Sequence, residues 1–156
     1  MLVLSSPAFE HGGALPSRYT CEGEDVSPPL AWNAGPPGTK SFALVVDDPD
    51  APDPQHPKTC WVHWVLFDLP PSIHALREGQ RHFPEGVGQG LNDSHHVGYG
   101  GPCPPIGRHR YFFRLYALDC ATLGLERPTR RQLEQAMHGH VLAVAELMGT
   151  YQKGDR

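Results

Sequence analysis

The sequence predicts a mainly β protein with a helix near its C-terminus, on three observations. First, Ser41–Val46, Trp61–Leu69 and His109–Leu118 are apolar, aromatic and rich in β-branched residues, as buried or half-buried strands are. Second, seventeen glycines and seventeen prolines among 156 residues exclude a helical bundle or coiled coil, because both residues disfavour helix interiors. Third, the stretch from Thr129 onward combines a helix start signal with helical periodicity.

Taken in chain order, Leu2–Ser5 and Leu30–Trp32 are the weaker strand candidates. Ser41–Val46 is stopped by Asp47-Asp48-Pro49, and Trp61–Leu69 is ended by Pro70-Pro71. Ile73–Gly79 reads as a short second helix. His109–Leu118 alternates, with His109, Tyr111, Phe113, Leu115 and Ala117 on one face. For the helix, Thr129 and Gln132 have the spacing of a capping box. Leu133, Ala136, Met137, His140, Val141, Val144, Leu147 and Met148 then recur at i+3/i+4, with Gly149 placed to end the stripe. Segments 47–59 and 79–108 take no assignment, and connections that long are commonly functional. No internal repeat or linker divides the chain, so residues 1–156 are expected to form one domain.

Composition narrows the function classes. Thirteen basic against seventeen acidic side chains give a net charge of −4, the wrong sign for a general nucleic-acid binder. No apolar run approaches the length of a membrane span. The N-terminus has no basic region before Arg18 to mark a secretory leader. Cys21, Cys60, Cys103 and Cys120 are far apart and form no C-x-x-C pair. These observations point to reduced thiols in a cytoplasmic protein.

The chemistry-bearing residues sit where strands meet those unassigned segments. Asp48 and Asp50 lie on a proline-stiffened turn, Asp48-Pro49-Asp50-Ala51-Pro52. His63 interrupts an otherwise apolar strand. His109 and Tyr111 are two residues apart and project the same way, directly after the Gly/Pro-rich loop Gly98–Gly107. Two imidazoles, a phenol and a carboxylate at such junctions make a small polar pocket. The alternatives from the same atoms are an enzyme of hydrolytic or lyase type and a metal-binding protein. The first would use imidazole–carboxylate acid–base chemistry, with Cys103 as a nucleophile. The second would gather Asp48, His63 and His109 on one ion. Neither His95-His96 nor His138/His140 has metal-ligand spacing, and His140 is expected to pack in the helix stripe. No cofactor fingerprint is present, since Gly86–Gly90 lacks the preceding strand and following helix.

Five ordered blocks carry a family resemblance: DVSPPLAW (25–32), SFALVVDDPDAP (41–52), WVHWVLFDLP (61–70), GYGGPCPPIGRHRYFF (98–113) and GHVLAVAELMGTYQ (139–152). From Phe9 to Gln152 the chain resembles the phosphatidylethanolamine-binding protein family, and most of all its bacterial, Raf kinase inhibitor-like branch. That resemblance implies an antiparallel β-sandwich-like domain of two sheets with a C-terminal helix. It also implies a small anion pocket holding phosphate-like groups, including a phosphoethanolamine head group. Its residues would be Asp48, His63, His109 and Tyr111, with Asp50, Gly101, Pro102 and Cys103 in the wall. His63 and His109 would donate to the anion, Tyr111 would fix an oxygen, and Asp48 would orient an imidazole or take an ammonium. Eukaryotic members carry Pro where this chain has Cys103, and mammalian members carry a longer C-terminal tail. A kinase or protease partner and a homodimer are implied by the family only.

Overall fold

A computed structural model of the chain describes residues 1–155. Its strands are β1 (Leu4–Ser5), β2 (Leu30–Trp32), β3 (Ser41–Ala51), β4 (Thr59–Leu69), β5 (Ala75–Leu76), β6 (Gly88–Gln89), β7 (His109–Leu118) and β8 (Val141–Tyr151), with one α-helix, α1 (Arg130–Met137). The large sheet has the order β6-β4-β3-β7-β8 and the small one β1-β2-β5; every pairing within them is antiparallel. The antiparallel two-sheet architecture is therefore the observed one.

β3 lies in the middle of the large sheet, and each of its first eight residues is buried. Phe42, Leu44 and Val46 face the small sheet, where they meet Leu4, Leu30, Trp32 and Leu76. Ala43 and Val45 face the other way, under Leu133 and Met137 of α1. Burial on both faces explains why the segment reads as an unbroken apolar run rather than an alternating one. β7 keeps the alternation the sequence shows: Tyr111, Phe113, Leu115 and Ala117 join the core between the sheets, while Arg110 is exposed and Phe112, Arg114 and Tyr116 are half-buried.

Several expectations change. β3 runs on through Asp47–Ala51 instead of stopping at Val46; its pairing becomes irregular between Asp48 and Ala51, which accommodates a proline that has no N–H to donate. Ile73–Gly79 is not a helix: Ala75 and Leu76 form β5 beside β2. The predicted C-terminal helix is real at its start, where Thr129 and Gln132 form the capping box, but it ends at Met137. Gly139 then turns the chain with φ +85°, and 141–151 pairs with β7 as a full-length strand. Ala145, Leu147, Gly149 and Tyr151 are its buried positions, a period of two that coexists in this segment with the i+3/i+4 pattern. His140 lies outside the helix and is exposed.

The cysteines give the other correction. Cys21 and Cys103 form a disulfide, leaving Cys60 and Cys120 as the free thiols among the described residues. Residues 82 apart in sequence meet because the loop before β7 folds back over the turn after Ser17–Tyr19. The expectation of reduced thiols thus fails for this pair. No helix among the described residues is long and apolar enough to cross a membrane.

Candidate functional site

A cavity of about 310 Å³ opens at the end of β4, β3 and β7. Six of the eight residues singled out from the sequence line it: Asp48, His63, Gly101, Cys103, His109 and Tyr111. Asp50 and Pro102 do not. Asp50 turns outward into a two-pronged ion pair with Arg110, accepting from Nε at 3.0 Å and Nη2 at 2.9 Å. Hydrogen bonding to Arg110 holds that carboxyl below the usual carboxylate range, against an opposing effect of burial. Pro102 is buried and its carbonyl accepts from the Cys21 N–H at 3.0 Å.

A β-bulge aims His63. The pairing of β4 with β3 passes from Trp64 to Val62 across neighbouring β3 residues, so His63 is the extra residue. Val62 and Val65 pack on the outer face while Trp64 and Leu66 pack on the inner one. His63 therefore leans inward beside Trp64 and meets the Tyr111 ring edge-on at 5.3 Å between centroids. Re-aiming a side chain in this way is a common use of bulges.

The two cavity histidines are wired differently. His109 has both nitrogens on protein acceptors: Nδ1 on Asp48 Oδ2 at 2.5 Å and Nε2 on the Ile106 carbonyl at 2.8 Å. Both ring nitrogens are therefore engaged by the protein. The other Asp48 oxygen accepts the Asp50 N–H at 2.7 Å. His109 is fully buried, so it supports the wall and has no donor left for a ligand.

His63 donates through Nδ1 to the Gly100 carbonyl at 2.6 Å. Burial lowers its pKa below the ordinary histidine value, outweighing the opposing pull of that hydrogen bond and of nearby carboxylates. The ring is therefore neutral near pH 7, with a lone pair on Nε2. That Nε2 and the Tyr111 hydroxyl are both buried and have no partner. Burial, reinforced by the charge of Asp48, also raises the tyrosine's pKa, so the phenol keeps its proton. The cavity thus holds one unused acceptor and one unused donor, side by side. Orphaned buried polar atoms carry a free-energy cost of about 1–3 kcal/mol each unless something fills them.

The loop Gly101–Pro105 closes one side. The Gly101 N–H donates to Asp25 Oδ1 at 2.8 Å, and a Cβ at Gly101 would collide with that carboxylate and with the Tyr19 carbonyl. Cys103 anchors the same loop through its disulfide, so it offers no thiolate and the nucleophile reading fails. The metal reading of Asp48, His63 and His109 meets the same kind of obstacle, because the His109 nitrogens are already spent. Sequence reasoning missed Trp61 and Ser94, which stand at the rim. Both are exposed; Trp61 was legible only as an apolar strand residue, and Ser94 carried no signal.

The chain matches the family model for phosphatidylethanolamine-binding protein over residues 5–152. A UPF0098 protein of the archaeon Methanothermobacter thermautotrophicus is 50% identical over 155 residues, covering 97% of this chain and 99% of the relative. A crystal structure of a phosphatidylethanolamine-binding protein homologue from Chlamydia trachomatis superimposes with a TM-score of 0.90 at 43% identity, covering 97% of each chain. Escherichia coli YbcL, described as a new member of the mammalian family, gives 0.87 at 30% identity, covering 97% of this chain and 98% of its own. An archaeal relative at that identity means the likeness is not confined to a bacterial branch. With its two-sheet architecture and a match across almost its whole length, the chain belongs to the phosphatidylethanolamine-binding protein family.

Proposed function

We propose that the cavity binds the phosphoryl group of a small phosphomonoester, such as a phospholipid head group released from its lipid. The observation that carries this reading is the pair of orphaned atoms, His63 Nε2 and Tyr111 Oη. A singly protonated phosphate has one P–OH to donate to Nε2 and an anionic oxygen to accept from the phenol, so one group satisfies both. A carboxylate has lost its proton near neutrality and meets only the tyrosine. A phosphate dianion binds only if it brings a proton with it, placed on itself or on His63. Asp48 has one oxygen on His109 Nδ1 and the other on the Asp50 N–H, so it turns no free carboxylate oxygen towards the anion. Trp61 at the rim offers an aromatic face to an ammonium group of the ligand.

Calorimetric titration with phosphoethanolamine and with inorganic phosphate, at pH 6 and pH 8, tests the reading. The second ionisation of a phosphomonoester lies near pH 6, so affinity should fall roughly tenfold or more between the two conditions. Tyr111→Phe should weaken binding by roughly tenfold, the worth of about one hydrogen bond of 1–1.5 kcal/mol. The same change should leave the free protein as stable as before or more so, because it removes an unsatisfied hydroxyl. Affinity that stays flat with pH and is indifferent to Tyr111→Phe would overturn the proposal. No separate observation favours a kinase or protease partner.

A further inference from the structure

At the opposite end of β7 from the cavity, three donor side chains of different chemistry converge. Asp119 and Cys120 directly follow β7, and His140 directly precedes β8. One ligand atom from each of the three lies within 4.8 Å of the other two. The backbone beneath them is fixed. The Asp119 N–H donates to the His140 carbonyl at 3.0 Å, one step beyond the Leu118–Val141 pair of the ladder. The Cys120 carbonyl accepts from Ser41 Oγ at 2.6 Å. The side chains above are free to turn, since Asp119 and His140 are exposed and Cys120 is half-buried. His140 Nδ1 already sits 2.8 Å from Asp119 Oδ1. The two ligand-bearing turns are twenty residues apart in sequence, and only the strand pairing brings them together.

We propose that Asp119, Cys120 and His140 form a binding site for one divalent d-block cation of zinc-like chemistry. Thiolate, imidazole and carboxylate are the three side-chain donors that zinc accepts. Thiolate and imidazole together disfavour magnesium and calcium, which prefer all-oxygen sets. Ligand atoms around a tetrahedral zinc stand about 3.5 Å apart, given bond lengths of about 2.0–2.3 Å. Rotation of the exposed side chains adjusts the present spacings, 2.8 Å between His140 and Asp119 and at most 4.8 Å across the set, to that value. On binding, the Cys120 thiol gives its proton to solvent and the sulfur takes its place on the metal. Two ring or carboxylate donors complete a three-residue set, and the fourth position faces water. β7 is ten residues long, about 33 Å at strand rise, so this site is separate from the anion cavity. A bound ion would clamp the two ends of the 119–140 connection that carries α1.

Titration of the full chain with Co²⁺, followed by displacement with Zn²⁺, tests the proposal. A thiolate-to-cobalt charge-transfer band in the near ultraviolet should saturate at one equivalent and disappear on adding zinc. Cys120→Ser should abolish the band, and His140→Ala or Asp119→Asn should weaken cobalt affinity by tenfold or more. Cys60→Ser, at the other free thiol, should leave both band and affinity unchanged. All four sites are at least partly solvent-accessible, and circular dichroism of each variant keeps folding defects distinguishable from lost ligation. Absence of the band in the wild-type chain, its survival in Cys120→Ser, or equal competition by Ca²⁺ would overturn the assignment.

Discussion

His63 and His109 flank the same tyrosine, and their hydrogen-bond partners give them opposite work. His109 has both ring nitrogens taken up, by Asp48 and by the Ile106 carbonyl; His63 faces one carbonyl, is buried, and stays neutral. The consequence for stability follows from linkage. A histidine whose folded pKa lies below its unfolded value of about 6.5 takes up its proton more readily when unfolded. Its contribution to stability is complete above about pH 6.5 and is lost as pH falls through that value towards the lower folded pKa. Urea denaturation at pH 7.5 and pH 5 should show His63→Gln losing less stability on acidification than the wild type. Equal losses would mean that His63 is not the group protonated. The identities of these residues were legible in the sequence because each interrupts or begins an apolar strand. Their division of labour was not, since it depends on the Gly100 and Ile106 carbonyls, whose positions no pattern of side chains encodes. Asp50 is the same lesson reversed: it sits two residues from Asp48, yet Arg110 draws it out of the cavity.

At the scale of elements, β7 was read to its ends because one face alternates without exception. The segment after Thr129 satisfies two periods at once, and tertiary pairing chooses between them: residues 130–137 cover the outer face of the sheet, and residues 141–151 complete its edge. The capping box was legible because it is a local arrangement. Thr129 Oγ1 accepts the Gln132 N–H at 3.2 Å, and the Gln132 side chain accepts the Thr129 N–H at 3.0 Å. Thr129→Ala should therefore destabilise the protein by about 1 kcal/mol, read as a shift of the urea midpoint at constant slope. An unchanged midpoint would mean that the arginine contacts to Asp47 hold α1 without help from its cap. Those contacts are Arg130 Nη1 to Asp47 Oδ2 and Arg114 Nη1 to Asp47 Oδ1, each 2.9 Å. Asp47 reads in the sequence as the stop to the strand, and it is a buried strand residue that joins the helix to the sheet.

For the whole molecule, the two-layer architecture was legible from the strand runs and the ordered family blocks. What escaped was the closure of distant segments on each other, where spacing is silent. Gly12 and Leu15 donate to the Met148 and Thr150 carbonyls of β8, so the first residues of the chain cover part of the edge strand. Cys21 and Cys103 close a second long-range contact. That bond has a consequence for how the chain comes apart. Arg81 is exposed in the connection between the two cysteines, within reach of trypsin. A single cut there yields an N-terminal piece carrying Cys21 and a C-terminal piece carrying Cys103. On a denaturing gel without reductant, the nicked protein should migrate as one tethered species near the intact mass. With reductant it should resolve into two bands. Two bands under both conditions would mean the cysteines are not joined, and the loop beside the cavity would then lose its only covalent anchor.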